Sequence, residues 1–176
     1  MATPDFVLAL REKIGTMPLW LSGVTAVVLR DEQVLLVRRA DSGAWTPVTG
    51  IIDPGEQPAV AAERETLEEA DVVAVAESIA WVQVTEKIRY ENGDQTQYID
   101  FVFRCRYVSG TPFPADGENT DARWYALDDL PEMSDDMGRR VRAGLDTRAE
   151  ARFGPLDGGR RRGVSDHCIG VRDLHV

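Results

Sequence analysis

Cysteine is scarce. Cys105 and Cys168 are the only two in 176 residues. They form no CxxC pair, which argues against both a disulfide framework and a zinc site and points to a reducing compartment. Histidine is as rare: His167 and His175 both lie beyond Gly154, so acid–base work in the body of the chain falls to carboxylates. No apolar run is long enough to span a bilayer. The N-terminal MATPDFVLALREK carries charges within its first turns, so it reads as neither secretory signal nor membrane span, and a cytoplasmic protein is expected. Positive charge is short too. A formal net charge of −10 argues against nonspecific nucleic-acid binding and against an anionic membrane, both of which need a basic face. Arg160, Arg161 and Arg162 read as a solvated run within that balance. Internal repeats and low-complexity segments are absent as well.

What remains is one domain's length of ordinary globular composition. Phe6, Leu10 and Ile14 form a stripe that predicts a short amphipathic helix over Asp5 to Ile14. Gly23 to Arg30 and Gln33 to Arg38 are β-rich runs around Asp31-Glu32 and predict a hairpin. Val72 to Val84 is strand-like, with Trp81 directed to the core. Gln97 to Val108 alternates, with Ile99, Phe101, Phe103, Cys105 and Tyr107 on one side and Asp100, Arg104 and Arg106 on the other, and predicts a half-buried strand. The turn Glu91-Asn92-Gly93-Asp94 precedes it. A last strand falls in Asp121 to Leu127, and a helix runs from Ser134 to about Arg148. From Gly154 onward the chain turns to Gly, Arg and Asp and reads as a poorly packed tail. The expected division is 1–21 for a helix and linker, 22–150 for the domain and 151–176 for the tail.

The chain is organised around GIIDPGEQPAVAAERETLEEADV, from Gly50 to Val72. Asp-Pro-Gly is a turn, Pro58 suits a first helical position, and Pro58 to Ala70 are helix formers. At about 100° per residue, Glu65, Glu68 and Glu69 share one face. Ala59, Ala62, Thr66 and Ala70 form another stripe, with Val60 and Leu67 at its border. The expectation is that the small residues meet a sheet and the acidic face looks outward. Close carboxylates repel, and a hard divalent cation such as Mg²⁺ or Mn²⁺ that also grips a diphosphate would offset this.

The spacing Gly50, Glu56, Arg64-Glu65, Glu68-Glu69, Asp71, Val72 resembles the signature of the Nudix hydrolases. Thr66 and Asp71 depart from it, standing where the family has an aliphatic residue and glycine. Thr66 still fills a small slot, and Asp71 tolerates the left-handed conformation of a helix end. The resemblance implies an α/β fold, a mixed sheet between helices in an α/β/α sandwich, over roughly Ser22 to Arg148. It implies Mg²⁺ or Mn²⁺ on Glu65, Glu68 and Glu69, helped by the carbonyl of Gly50 or Thr49. Arg64 would orient a glutamate, and Glu56 would support the loop or approach the metal through water. In several relatives a loop glutamate ligates metal or acts as base, which makes Glu118 the candidate here, with Asp116 and Asp121 behind it; Glu65 is the other candidate base.

Arg38 and Arg39 end a strand near the box, where one could meet a substrate phosphate while the other pairs with a carboxylate. Trp20, Trp45 and Tyr90 could stack on a base. Lys87 and Ile88 stand where many ADP-ribose hydrolases of the family have proline, Tyr90 falls where some diadenosine polyphosphate hydrolases have tyrosine, and the motifs of NADH and coenzyme A hydrolysis are missing. The expected activity is metal-dependent cleavage of the pyrophosphate linkage in a nucleoside diphosphate-linked compound or a nucleoside triphosphate. The partner is a nucleotide-type small molecule, for a monomer or homodimer. The alternative is a Nudix-fold sensor that binds a nucleotide metabolite without cleaving it.

Overall fold

The computed structural model describes residues 3–147 and 150–153. The three helices among them are α1 (Asp5–Ile14), α2 (Pro58–Ala70) and α3 (Asp135–Leu145). The strands are β1 (Leu19–Arg30), β2 (Gln33–Arg39), β3 (Trp45–Thr46), β4 (Val48–Ile51), β5 (Val72–Val84), β6 (Ile88–Arg89), β7 (Gln95–Gly110), β8 (Asn119–Ala126) and β9 (Arg152–Phe153). They form one mixed sheet in the order β3-β2-β1-β7-β5-β9, with β4 beside β1, β6 beside β7 and β8 beside β2.

The β1–β2 hairpin turns through Asp31, whose φ of 51° is the left-handed conformation an aspartate tolerates. The central β1–β7 pair is parallel. Parallel strands are covered on both faces, which is why Val24 to Val28 is buried without a break rather than alternating. Val24, Ala26 and Val28 pack with Ala61, Ala62 and Ala70 of α2. Val27, Trp81 and Val102 pack with Val141 and Ala143 of α3 on the opposite face. The result is an α/β/α sandwich.

α3 is shorter than expected. Ser134 is its N-cap, accepting from the Met137 N–H at 3.3 Å, and Asp135 and Asp136 occupy its first turn. It also changes the reading of β7, because its packing covers the side assigned to solvent. Asp100 is 3% exposed. It accepts from the Thr25 hydroxyl at 3.1 Å and lies 3.2 Å from Arg140 Nη1. Only Arg106 of the expected polar side reaches open solvent; Arg104 donates to Gly144 O at 3.0 Å.

Strand β1 begins at Leu19, and Arg152–Phe153 pairs in parallel with β5. The expected tail from Gly154, with Arg160–Arg162, His167, Cys168 and His175, lies outside the described residues.

Candidate active site

α2 ends where Asp71 adopts φ 52° and ψ 35°, with its N–H bonded to Leu67 O. Thr66 is fully buried, and its hydroxyl donates to Ala62 O at 2.7 Å. Both departures from the box pattern therefore fit the roles expected of them. The acidic face does not look outward. Glu65 is 0% and Glu69 2% exposed, while Val60 and Leu67 face solvent. Of Glu65, Glu68 and Glu69, Glu68 alone stays half exposed.

Gly50 explains the inward turn of Glu65: a Cβ at that position would lie 2.1 Å from Glu65 Cδ, so the missing side chain is the space the carboxylate fills. Glu69 is enclosed by residues 111–118. Phe113 N–H bonds Ala70 O at 3.0 Å and Ala115 N–H bonds Glu69 O at 3.3 Å, which fixes that segment over the end of α2.

Arg64 is the hub of the first half of the site. It grips Glu56 with two parallel bonds, Nε to Oε1 at 2.8 Å and Nη2 to Oε2 at 2.9 Å. Its Nη1 donates to Glu65 Oε1 at 2.9 Å and to Glu68 Oε2 at 3.0 Å, and Nη2 reaches Ile51 O at 3.3 Å. Glu56 Oε2 also accepts the Asp53 N–H at 3.1 Å. Both Glu56 oxygens are thus engaged, and the hydrogen bonds from Arg64 hold its carboxyl below the usual range. Glu56 anchors the arginine to the box loop.

Burial pushes the Glu65 carboxyl up to about 8 against the pull of Arg64, with the Glu69 charge adding to the rise. Its Oε2 is buried with no hydrogen-bond partner among the described residues. Burial likewise raises Glu69 to about 7, opposed by the hydrogen bond that Asn119 Nδ2 donates to its Oε2 at 3.1 Å. Carboxylate oxygens of Glu69, Asp116 and Glu118 lie within 4.8 Å of one another. Asp116 Oδ1 accepts the Glu118 N–H at 3.0 Å, and Glu118 O accepts the Ala40 N–H at 2.8 Å, tying the loop to the end of β2. Glu69, Asp116 and Glu118 form an all-oxygen donor set that fits a hard divalent cation, and the unmatched Glu65 Oε2 lies one helical turn from Glu69 on α2.

Of the two strand arginines, Arg39 pairs with a carboxylate: its Nε and Nη2 donate to Asp41 at 3.0 and 2.8 Å, which lowers Asp41 to about 2. Arg38 is exposed, with Nε on Gly43 O at 3.0 Å. Tyr90 is 43% exposed, and its hydroxyl lies 3.4 Å from that of Tyr98. The Tyr98 ring in turn approaches within 3.3 Å of where a Gly23 Cβ would stand, a point 3.4 Å from Gly50 O. Trp45 packs edge-on against Tyr125 at 5.0 Å, in the core cluster on the α3 side, whereas Trp20 is exposed. Asp121 forms an ion pair with Arg123.

Sequence reasoning singles out neither Asn119, which faces the site, nor Tyr98, which borders Gly23 and Tyr90. Tyr98 carries no signal beyond its strand, and Asn119 only that it follows Glu118 in a polar turn.

The NUDIX domain family model matches residues 20–143, and the chain belongs to the Nudix hydrolase family. The NAD-capped RNA hydrolase NudC of Pseudomonas syringae pv. tomato is 32% identical over 113 residues, covering 61% of this chain and 36% of that protein. This chain therefore spans little more than a third of the length of that relative. A MutT-like protein of Streptomyces ambofaciens is 29% identical over 116 residues, 65% of this chain and 70% of that protein. Among solved structures, a UDP-X diphosphatase aligns with a TM-score of 0.62 at 21% identity, covering 88% of this chain and 76% of that one. A NUDIX hydrolase from Nitrosomonas europaea aligns at 0.59 and 20%, covering 76% and 77%. At such identities these structures bear on the fold alone. No helix among the described residues is long and apolar enough to cross a membrane.

Proposed function

We propose that this chain is a Mg²⁺- or Mn²⁺-dependent pyrophosphohydrolase that cleaves the pyrophosphate linkage of a nucleoside diphosphate-linked compound or a nucleoside triphosphate. The observation that carries the reading is the buried pair Glu65 and Glu69, with Glu65 Oε2 unmatched and Glu69 crowded by Asp116 and Glu118. Buried carboxylates without full compensation are costly, and a divalent cation is the compensation their geometry suits.

Glu65, Glu68 and Glu69, with the Gly50 carbonyl, are the residues that would hold the cation. Once bound, it neutralises phosphate charge and lowers the pKa of a water. Arg64 keeps Glu65 and Glu68 oriented while Glu56 anchors Arg64. Glu118 is the preferred proton acceptor over Glu65. It is half-buried at the edge of the site, whereas Glu65 is enclosed and spends Oε1 on Arg64. In the reaction the oxygen of a water bonds to phosphorus, the bridging P–O bond breaks, and Glu118 takes the proton of the attacking water, leaving two phosphate products. Arg38, exposed beside its bond to Gly43 O, is the arginine that would meet a substrate phosphate, with Arg39 held by Asp41, and Tyr90 offers a stacking face.

A panel of NADH, ADP-ribose, a UDP-sugar, a diadenosine polyphosphate and nucleoside triphosphates, assayed with Mg²⁺, with Mn²⁺ and with EDTA, tests the reading. NADH belongs in it because the NudC relative is named for NAD-capped RNA, although this chain lacks the motif expected for NADH hydrolysis. Metal-dependent turnover of at least one compound is expected. Binding without turnover across the panel would replace the enzyme with the sensor.

A further inference from the structure

Strand β8 enters the site through an irregularity. Val37 pairs with Ala122 and Arg38 with Asp121, but Arg39 pairs with Asn119, so Thr120 is an extra residue in the ladder. Ala122 faces α2 in the core. Strict alternation from Ala122 would point Thr120 inward and Asn119 away. The bulge reverses this: Thr120 is exposed, and Asn119 is 5% exposed on the face that carries Glu69. Bulges beside functional sites re-aim a side chain in this way.

The amide has little freedom once there. An ionised Glu69 only accepts, so Nδ2 must face it, as it does at 3.1 Å. Oδ1 is then left buried with no hydrogen-bond partner among the described residues. The amide that carries it stands against Glu69, which forms one carboxylate group with Asp116 and Glu118, where a hydrated cation would present donors. A buried acceptor without a protein donor calls for a water, an ion's shell or a ligand to satisfy it.

We propose that Asn119 is a positioning residue of the cation site: its Nδ2–H fixes Glu69 Oε2, leaving the other carboxylate oxygen for the cation, and its Oδ1 accepts a hydrogen bond from a water in the cation's shell. This rests on the metal-dependent reading given above and adds to it a residue outside the box. Outer partners of this kind set ligand orientation and cation affinity.

The test uses the full chain and Mn²⁺ itself, read by calorimetric titration and by the thermal midpoint in EDTA and in Mn²⁺. Asn119→Leu removes donor and acceptor while keeping the branching of the side chain. Its Mn²⁺ dissociation constant should rise by about tenfold or more, and its EDTA midpoint should fall because buried Glu69 loses its donor. Asn119→Asp keeps the shape but sets a carboxylate against Glu69. Its EDTA midpoint should fall and its Mn²⁺-induced rise should exceed that of the wild type. A merely structural role would move the EDTA midpoints and leave both Mn²⁺ responses unchanged. Wild-type Mn²⁺ affinity in the leucine variant, or a wild-type Mn²⁺ increment in the aspartate variant, overturns the proposal. If the wild-type chain itself takes up no Mn²⁺, the metal-dependent reading falls and this proposal with it, an outcome distinct from failure of Asn119 alone.

Discussion

Glu69 and Glu118 belong to one carboxylate group, yet burial separates their tasks. Glu69 is enclosed and donor-bonded, which suits a ligand, and Glu118 is half open, which suits proton transfer. Glu69→Gln should lower turnover by orders of magnitude while the EDTA midpoint holds, since removing a buried charge opens no cavity. Full activity in that variant would remove the ligand assignment. Glu118→Gln should lower kcat with little change in KM, as for a group whose interaction strengthens in the transition state. Tyr90→Ala should instead raise KM for purine substrates, because stacking on an exposed ring is worth roughly 1–3 kcal/mol. Steady-state kinetics of both variants on the best substrate of the panel separates the two. Unchanged kcat in Glu118→Gln would move the base to Glu65, and unchanged KM in Tyr90→Ala would leave that ring to its contact with Tyr98.

At the scale of elements, α2 was legible because its limits are written in local chemistry: Pro58 opens it and Asp71 closes it in the left-handed region. Its orientation was not, because an ExxEE face reads as solvated unless something elsewhere makes room. That something is the missing side chain of Gly50, on a strand the helix meets only in the fold. Asp100 was misplaced for a similar reason: alternation reports one covered face of β7, and the second cover, with its Arg140, comes from a helix 40 residues downstream. The bulge that turns Asn119 inward also leaves no local signal. Gly50→Ala tests the helix–strand fit. Its Cβ would displace the buried carboxyl end of Glu65 rather than backbone, so the chain should still fold, with a lower EDTA midpoint, and lose most of its Mn²⁺ affinity. Wild-type affinity in that variant would show that Glu65 does not need this position to act.

For the whole molecule, the site carboxyls set how stability follows pH when no metal is present. Glu65 and Glu69 are raised to about 8 and about 7 from an ordinary 4.5, and burial also raises Asp100. A raised carboxyl binds its proton more tightly in the folded chain than in the unfolded one. Between pH 5 and 8 the folded state therefore holds more protons, and stability falls as pH rises. Asp41 and Glu56 are shifted downward, so their contribution has the opposite sign, but it is lost only as pH falls below about 4.5, under this window. The net charge of −10 adds self-repulsion in the same direction at neutral pH. In EDTA the thermal midpoint should thus decline from pH 5 to pH 8. A loss of a few kcal/mol, the scale set by shifts of this size, translates at roughly 2–4 °C per kcal/mol for a chain of this length. Mn²⁺ binds the ionised carboxylates of the folded state only, so saturating metal should raise the midpoint most at pH 8 and flatten the decline. Midpoints measured by calorimetry across this range, with EDTA and with Mn²⁺, decide the matter. A metal-free midpoint that climbs toward pH 8 would mean that Glu65 and Glu69 are compensated by groups other than a cation, and the buried pair would lose its force as the argument for a metal site.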